Sequence, residues 1–502
     1  MIEMLFEALF IIMKPINLMW FFIGTFIGII AGILPGIGAS LTMSLLIPVT
    51  FFFPKEQGLI TLIAAWAAAV YGGSISAVLI NTPGTGANVI TTLDGFPMAR
   101  AGRARVALAI CATASMIGGL VGVTCLIIFA PPLAALAVKF GPAQYFLLTV
   151  FGLIMISSTL KGSTIKGIIT AGFGLMISFI GYDIISGEIR YTFGIDYLTD
   201  GIPFLVVVIG LFAIAQVLDF LSETGSSISK VDDKSGSFKE GIILTFKNWK
   251  HVIKSAAIGT IFGFAPGIGT SAASVVAYGE AERSARHPEL FGHGSPEGLV
   301  ASETANNAVQ GGALIPTLTL GIPGNSDSAV FLAGLMMYGI NPGRDLFEKN
   351  PLLISILFCA LILAQVSFWI AGLSLAGFFA KITLVPINML APLIWLFAAT
   401  GAFALHNNPV EVYAVIIIGV LAYVMRRLKY SVIPLLMGVI LGPIAEKNFM
   451  RAMMISDGSY GIFFKGYINL IILTLIFLVI FIPFIVKKKR DINNSGLSGS
   501  KK

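Results

Sequence analysis

Long apolar runs recur along the whole chain and alternate with short polar or Gly-Pro segments. An α-helix needs about 20 mostly apolar residues to cross the hydrocarbon core of a bilayer. The pattern therefore predicts an all-α polytopic membrane protein. Because several runs are short or contain Pro and Gly, we expect about 10 to 12 crossings plus re-entrant hairpins. The expected spans lie at roughly 16–34, 60–80, 106–130, 143–160, 165–182, 202–220, 252–265, 298–320, 351–380, 386–404, 411–425, 431–444 and 467–486.

The amino-acid composition supports this fold class and excludes several others. Apolar residues make up 56% of the 502 residues and charged residues only 11%, whereas a soluble domain has about 25% charged residues. So few charges exclude a soluble enzyme, a secreted domain and a disordered scaffold, and they leave a protein surrounded by membrane lipid. The three cysteines lie apart inside apolar runs, so we expect no disulfide, no transition-metal site and no cofactor.

The net charge of +7 indicates orientation in the membrane and not a nucleic-acid partner. Much of it lies in residues 487–502, which directly follow an apolar run and therefore predict a basic cytoplasmic tail. At the other end, Glu3, Glu7 and Lys14 share one helical stripe. This stripe predicts a short interfacial helix at 1–14.

The two halves of the chain are related, and a polar linker at about 221–250 divides them. The strings GIIAGILPGIGAS at 28–40 and GTIFGFAPGIGTS at 259–271 are identical at eight of thirteen positions. A second pair of turns, NTPG at 81–84 and GIPG at 321–324, follows in the same order. These strings predict two repeats. The expected organisation is an interfacial helix at 1–14, repeat 1 at 15–220, the linker at 221–250, repeat 2 at 251–486 and the tail at 487–502.

The charges of the loops predict that the two repeats are inverted. Segment 183–200 has one arginine against four acids, whereas its counterpart at 426–429 has three basic residues and no acid. The loop near Lys161 and Lys166 is basic, whereas its counterpart at 406–411 has no lysine or arginine. Because loops rich in lysine and arginine stay in the cytoplasm, equivalent loops of opposite charge are expected on opposite sides of the membrane.

The Pro-Gly strings carry the strongest functional information. Proline removes a backbone donor and glycine permits non-helical backbone angles, so residues 35–38 and 266–269 are predicted to interrupt helices at membrane depth. Such paired interruptions are typical of the central site of a transporter, where helix N-termini suit a carboxylate and unwound carbonyls suit Na⁺. The alternative is a pair of kinks that serve packing alone. The predicted contacts are Gly36, Gly38, Gly267 and Gly269 for the substrate, and Ser40 and Ser271 for the cation.

Hydrogen-bonding side chains on non-helical backbone are expected at 81–92, with a counterpart at 323–328. As the tips of two hairpins, these segments would contact substrate and cation, because the motif occurs once in each half. The alternative is a pair of ordinary capped turns at the membrane surface, since Asn, Thr, Pro and Gly are also turn residues. The predicted contacts are Asn81, Thr82, Gly84, Gly324 and Asn325 for the substrate, and Ser326 for the cation.

A polar stripe lies inside one predicted span. Its members, Glu303, Asn306, Asn307 and Gln310, follow the i, i+3, i+4, i+7 spacing of one helical face. Inside a membrane such a stripe must face the protein interior or water. We expect Asn306 at the cation and Asn307 at the substrate. Glu303 is either a proton or cation site, or a packing acid that pairs with a nearby basic residue such as Arg283 or Arg286.

Three longer strings resemble a known family. They are GILPGIGAS at 32–40, YGGSISAVLINTPGTGANVITTLDGFPMARAGRA at 71–104, and the block at 263–343 that begins GFAPGIGTS and ends MMYGINPG. They resemble the large membrane subunit of the bacterial tripartite tricarboxylate transporters. The similarity runs through the chain to about residue 486.

This resemblance implies a secondary transporter in the bacterial inner membrane that imports a carboxylate-bearing organic anion such as citrate, driven by a Na⁺ or H⁺ gradient. It also implies two partners, a periplasmic or lipid-anchored solute-binding protein and a small membrane subunit of about four spans. A homodimer is a further open alternative. The rival functions are an uncoupled organic-anion channel and a membrane-embedded enzyme. We expect no enzyme, since the chain has no Walker loop, no G-x-S-x-G elbow and no zinc-site spacing of histidines.

Overall fold

The computed structural model describes residues 2–159, 164–183, 186–222, 236–383, 385 and 389–480. Most of these residues are helical, which confirms the predicted all-α polytopic membrane fold. Among them, seven helices are long and apolar enough to cross a bilayer, and shorter apolar helices accompany them. The number of crossings beyond these seven stays a prediction. The basic tail, Lys161 and residues 223–235 of the linker lie outside the described residues.

Every predicted span contains a helix. The helices before the linker are α1 (Ile2–Met13), α2 (Pro15–Ile33), α3 (Ala39–Thr50), α4 (Lys55–Ile80), α5 (Asn88–Met98), α6 (Ala104–Ala137), α7 (Pro142–Thr159), α8 (Thr164–Ser178), α9 (Phe204–Ile209) and α10 (Ala215–Ser222). Five-residue π-helical turns, Ala99–Arg103 and Gly210–Ile214, join α5 to α6 and α9 to α10. A short antiparallel hairpin follows α8 and consists of β1 (Gly181–Tyr182) and β2 (Ile189–Arg190).

The helices of the second half begin with α11 (Phe238–Lys247), which lies within the predicted linker at 221–250. Ser237 caps α11 by accepting a hydrogen bond from the backbone N–H of Glu240. The others are α12 (Trp249–Phe264), α13 (Gly269–Ser284), α14 (Pro296–Leu320), α15 (Ser326–Met337), α16 (Arg344–Lys349), α17 (Pro351–Ser374), α18 (Ala376–Ile382), α19 (Leu390–His406), α20 (Pro409–Arg427), α21 (Ile433–Ile455) and α22 (Tyr467–Ile480). Short 3₁₀ turns lie at Asp196–Leu198, Pro288–Leu290 and Tyr460–Phe464.

The same close helix crossing occurs in both halves. In α2, a Cβ added at Gly24, Gly28 or Gly32 would overlap a backbone carbonyl oxygen of α4. In α12, a Cβ added at Gly259 or Gly263 would likewise overlap a carbonyl oxygen of α14. Small residues let membrane helices approach to backbone contact, which supplies packing where lipid gives no hydrophobic drive. The two crossings involve equivalent glycines of the predicted repeats.

The chain forms two compact units, and each takes segments from both halves of the sequence. Unit 1 contains residues 1–138 and 203–427, and unit 2 contains residues 139–202 and 428–502. In unit 1, α20 packs on the π-helical turn at Gly210–Ile214; in unit 2, α21 packs on α7 and α8. The sequence repeats at 15–220 and 251–486 therefore exchange helices, and their inverted orientation stays a prediction.

An ion pair fastens the β1–β2 hairpin within unit 2. The Arg190 guanidinium donates to both carboxylate oxygens of Glu446, at 2.8 and 3.1 Å, and lies 3.5 Å from Asp183. This hydrogen bonding raises the pKa of Arg190 above its ordinary value. The hairpin strand that carries Arg190 is thereby held against α21.

Two local expectations about backbone conformation are wrong. Residues 88–92 and 326–328 are predicted outside regular helix, yet they form the first turns of α5 and α15. Asn325 starts α15 as its N-cap, because its Oδ1 accepts the backbone N–H of Ser328 at 2.8 Å. The basic pair at 426–427, expected in a loop, completes the last turn of α20. Positive charge at this end of a helix interacts favourably with the helix dipole.

Candidate functional site

Both predicted helix interruptions are confirmed. Between α2 and α3 the backbone leaves the helix, and Gly36 has a φ of +79°. Between α12 and α13, Gly267 has a φ of +84° and Gly269 one of +77°. These angles lie in the left-handed region that favours glycine. Each break ends with a half-helix, α3 or α13, whose first N–H groups have no intrahelical partner.

Each interruption packs against the Pro-Gly turn of its own half. Gly84 lies so close to the Gly32 carbonyl oxygen that an added Cβ would overlap it. Gly324 lies in the same way against the Gly263 carbonyl oxygen, and its own carbonyl accepts the N–H of Gly267 at 2.8 Å. The two pairs are equivalent positions of the repeats. Close backbone approach at both turns therefore requires glycine.

These elements surround a cavity of about 430 Å³ that lies entirely within unit 1, a volume typical of small-molecule sites. Residues from both halves form its wall. The polar and glycine residues that line it are Gly36, Gly38, Ser40, Gly84, Thr85, Gly86, Gln216, Thr270, Ser271, Asn306, Ser326, Asp327 and Arg426.

A second cavity, of about 570 Å³, opens where α2, α4 and α17 begin. Lys14, Lys55, Glu56 and Lys349 are among the residues that line it. Because neither helix break, at 35–38 or 266–269, lines this second cavity, we assign the functional site to the cavity of about 430 Å³.

The structure brings about half of the sequence-predicted site residues to this cavity. Those that line it are Gly36, Gly38, Gly84, Ser40, Ser271, Asn306 and Ser326. Those that lie elsewhere among the described residues are Asn81, Thr82, Gly267, Gly269, Asn307, Gly324, Asn325 and Glu303. The roles of all these residues stay predictions. Because the second group does not line the cavity, its position favours a role in stabilising the turns and not direct contact with a ligand.

Arg426 is the principal cavity residue that sequence analysis missed. Its Nη1 donates to Asp219 Oδ2 at 2.8 Å and to Gln216 Oε1 at 3.3 Å, and its Nη2 donates to the Leu211 carbonyl oxygen at 2.9 Å. The sequence places Arg426 at the end of one apolar run and Asp219 at the end of another. Opposite charges at the ends of two apolar runs were the sequence signal for this ion pair, but only the fold brings Arg426 and Asp219 together.

Asp327 supplies the acidic group of the cavity. It lies in the first turn of α15, and the Ser40 hydroxyl, in the first turn of α3, donates a hydrogen bond to its carboxylate. The bond joins the two halves of the sequence across the site. The cavity therefore presents a fixed guanidinium and a fixed carboxylate.

Comparison with known proteins places the chain in a family. The model of the tripartite tricarboxylate transporter TctA family matches residues 18–437. The chain belongs to this family. An uncharacterized 52.8 kDa protein in the TAR-I ttuC′ 3′ region of Agrobacterium vitis is 37% identical over 487 residues, which cover 95% of this chain and 96% of the relative. An uncharacterized protein in the TAR-II ttuC′ 3′ region of the same organism is 35% identical over 235 residues, 46% of this chain and 97% of the relative. No solved structure matches.

In this TctA-family chain, the polar stripe of α14 divides between the cavity and the interior. Asn306 is buried and lines the cavity, and neither polar atom of its amide has a hydrogen-bond partner in the described part of the chain. Asn307 instead donates to the Glu303 carbonyl and accepts from Gln310. An unpaired buried amide is costly, so Asn306 is available to a ligand.

Glu303 is fully buried away from the cavity and is surrounded by hydroxyl groups. Its carboxylate accepts hydrogen bonds from Ser74 at 2.7 Å, Ser115 at 2.8 Å and Thr91. The alternative in which Glu303 pairs with Arg283 is wrong, because that arginine pairs with Glu280 in its own helix. The hydroxyl donors come from three different helices, so the carboxylate also ties α4, α5 and α6 to α14.

Proposed function

We propose that the chain is the large membrane subunit of a secondary active transporter that imports a carboxylate-bearing organic anion of the citrate type across the bacterial inner membrane. A single observation carries the proposal: one cavity unites the interrupted helices of both halves with a guanidinium and a carboxylate. A periplasmic or lipid-anchored solute-binding protein would deliver the anion, and a small membrane subunit would complete the complex.

The guanidinium of Arg426 supports a carboxylate substrate. Its planar fork matches the two oxygens of a carboxylate. Three hydrogen bonds to its own unit fix its position, and they leave at least two of about five N–H donors for a ligand. The unpaired Asn306 amide gives the same cavity a neutral donor.

The charges around the cavity support coupling to a cation. Among the described residues that line it, Arg426 and Asp327 are the charged ones, with opposite signs. A tricarboxylate brings up to three negative charges to this balanced site, and buried charge is costly unless it is paired. Na⁺ or H⁺ that enters with the substrate removes this imbalance. Coupled transport is therefore favoured over an uncoupled channel.

Reconstitution tests the proposal. Proteoliposomes that contain the subunit and its two proposed partners should accumulate labelled citrate above the external concentration. Accumulation should disappear when the Na⁺ and proton gradients are collapsed together. Equilibration without accumulation would indicate a channel, and chemical conversion of the citrate would indicate an enzyme.

A further inference from the structure

A chain of hydrogen bonds leads from the buried Glu303 to the wall of the cavity. Ser74 Oγ donates to Glu303 Oε2 at 2.7 Å, and Asn88 Nδ2 donates to Ser74 Oγ at 2.9 Å. Thr85 Oγ1 then donates to Asn88 Oδ1 at 2.5 Å. Thr85 lines the cavity, whereas the other three side chains are buried. These hydrogen bonds thus connect a carboxylate in the second half of the sequence to a hydroxyl on the cavity wall in the first half.

The donors and acceptors along this chain point in one direction. A hydroxyl has one proton, so Ser74, which donates to the carboxylate, can only accept from Asn88. The Asn88 amide must therefore turn its nitrogen to Ser74 and its oxygen to Thr85. Thr85 gives its proton to that oxygen, and only lone pairs of its hydroxyl remain for the cavity.

The hydroxyl groups around Glu303 set this direction. Thr91 donates to one of its carboxylate oxygens, while Ser74 and Ser115 donate to the other. Three hydroxyl donors around two carboxylate oxygens satisfy an anion, since a carboxylate accepts hydrogen bonds and has none to donate. The substitution Glu303→Gln would put an N–H₂ group in place of one acceptor and would disturb the order of the chain.

Ser40 and Asp327 give the same cavity further acceptors. Ser40 gives its one proton to the Asp327 carboxylate, so its oxygen also faces the cavity with lone pairs alone. Two hydroxyl oxygens and a carboxylate repel the carboxylate of a substrate. Oxygen ligands of this kind bind hard cations, and a site with a single carboxylate is suited to a cation of low charge.

We propose that Thr85, Ser40 and Asp327 form a Na⁺ subsite of the cavity, and that Glu303 is a positioning residue that orients the Thr85 hydroxyl through Asn88 and Ser74. The inference deepens the proposed function and rests on it, because it names the coupling ion and its ligands. Arg426 also lines the cavity and remains the proposed contact for the anion.

Two serines provide a matched test. The hydroxyls of Ser74 and Ser115 both donate to Oε2 of Glu303, at 2.7 and 2.8 Å, and Ser74→Ala or Ser115→Ala removes one of them. Only Ser74 belongs to the hydrogen-bond chain that leads to Thr85. Binding of radioactive Na⁺ to the purified subunit and the Na⁺ dependence of citrate uptake by the reconstituted complex are both measured. Ser74→Ala should raise the half-saturating Na⁺ concentration about tenfold, the equivalent of one hydrogen bond, and Ser115→Ala should leave it unchanged.

Thr85 provides a second test that does not disturb the buried carboxylate. Thr85→Val should raise the half-saturating Na⁺ concentration about tenfold, and Thr85→Ser should restore it, while the KM for citrate at saturating Na⁺ stays constant in both. This pair decides the matter if Ser74→Ala fails to fold.

Several outcomes would overturn the inference. Equal effects of Ser74→Ala and Ser115→Ala would show that Glu303 acts on structure alone. Wild-type Na⁺ affinity in Thr85→Val would remove the subsite. Accumulation driven by protons without Na⁺ would overturn the Na⁺ subsite and leave the proposed function standing. Failure of the wild type to accumulate citrate under any gradient would instead remove the proposed function.

Discussion

Nη1 of Arg426 lies 2.8 Å from Oδ2 of Asp219, although 207 residues separate the two along the chain. Arg426 lies in the last turn of α20 in the second half, and Asp219 lies in α10 in the first. The pair therefore forms only after both halves have folded together. It holds a guanidinium at the cavity wall in advance of any substrate, so that little side-chain entropy remains to be lost on binding.

Substitution of Arg426 by lysine should weaken anion binding. Arg426→Lys keeps the charge but removes the planar fork, so the KM for citrate should rise at least about tenfold. The adjacent Arg427 is exposed, stacks on Tyr423 and contacts Ser222. Arg427→Lys is therefore the matched control and should leave the KM unchanged. Equal effects of the two variants on uptake kinetics would contradict the assignment.

Neutralisation of Asp327 should uncouple anion binding from the cation. Asp327→Asn removes a negative charge from the cavity, so citrate should bind more tightly in choline buffer because like-charge repulsion is lost. The enhancement of citrate binding by Na⁺ should shrink at the same time. Calorimetric titration with and without Na⁺ measures both quantities. The exposed Glu289, paired with His287, gives the control Glu289→Gln, and full Na⁺ enhancement in Asp327→Asn would refute the prediction.

Alanine at either Pro-Gly turn should disturb the site. A Cβ at Gly84 would lie 2.5 Å from the Gly73 Cα, and one at Gly324 would lie 2.8 Å from the Ala313 Cα. Overpacking of this kind costs about 1–3 kcal/mol. We expect a lower apparent Tm and a loss of uptake in each variant.

The control for these turns is Gly279→Ala in α13. Among the described residues, no atom outside its own helix backbone lies within 4 Å of a Cβ built at Gly279. This variant should keep the Tm and the uptake of the wild type. Normal uptake in Gly84→Ala and Gly324→Ala would exclude both turns from the site.

The inverted orientation of the repeats has its own test in unit 2. Lys166, at the start of α8, donates to the Leu428 carbonyl oxygen at 2.9 Å, whereas segment 183–200 follows the other end of that helix. Fifteen residues of helix separate these ends by about 22 Å. Cysteines placed at Ile195 and Leu428, both exposed, in a variant without the three natural cysteines, should be labelled from opposite sides of the membrane. Labelling of both from one side would contradict the inversion.

Sequence patterns predict the parts of this fold that depend on local chemistry. Proline and glycine mark both helix breaks because their backbone restrictions act within a few residues. A serine followed by a proline is likewise a local signal for a helix start, and α14 begins at Pro296, where Ser295 Oγ accepts the N–H of Gly298 at 3.2 Å.

The polar stripe of α14 shows what local sequence patterns cannot predict. Helical spacing places Glu303 and Asn306 near one face, and it predicts one shared environment for them. Other helices enclose α14 on all sides, so Asn306 reaches the cavity while Glu303 reaches a cluster of hydroxyl groups. The hydroxyl groups around Glu303 come from residues more than 180 positions away in the sequence. Local residue spacing therefore could not predict the different environments of Glu303 and Asn306.

The exchange of helices between the sequence halves makes the two halves inseparable as folding units. If the chain were cut near residue 230, the first fragment would contain α7 and α8 without α21, and the second would contain α20 without the Gly210–Ile214 turn on which it packs. Each fragment would expose the surface that the other covers. The two fragments would have to meet in the same membrane before either compact unit could form.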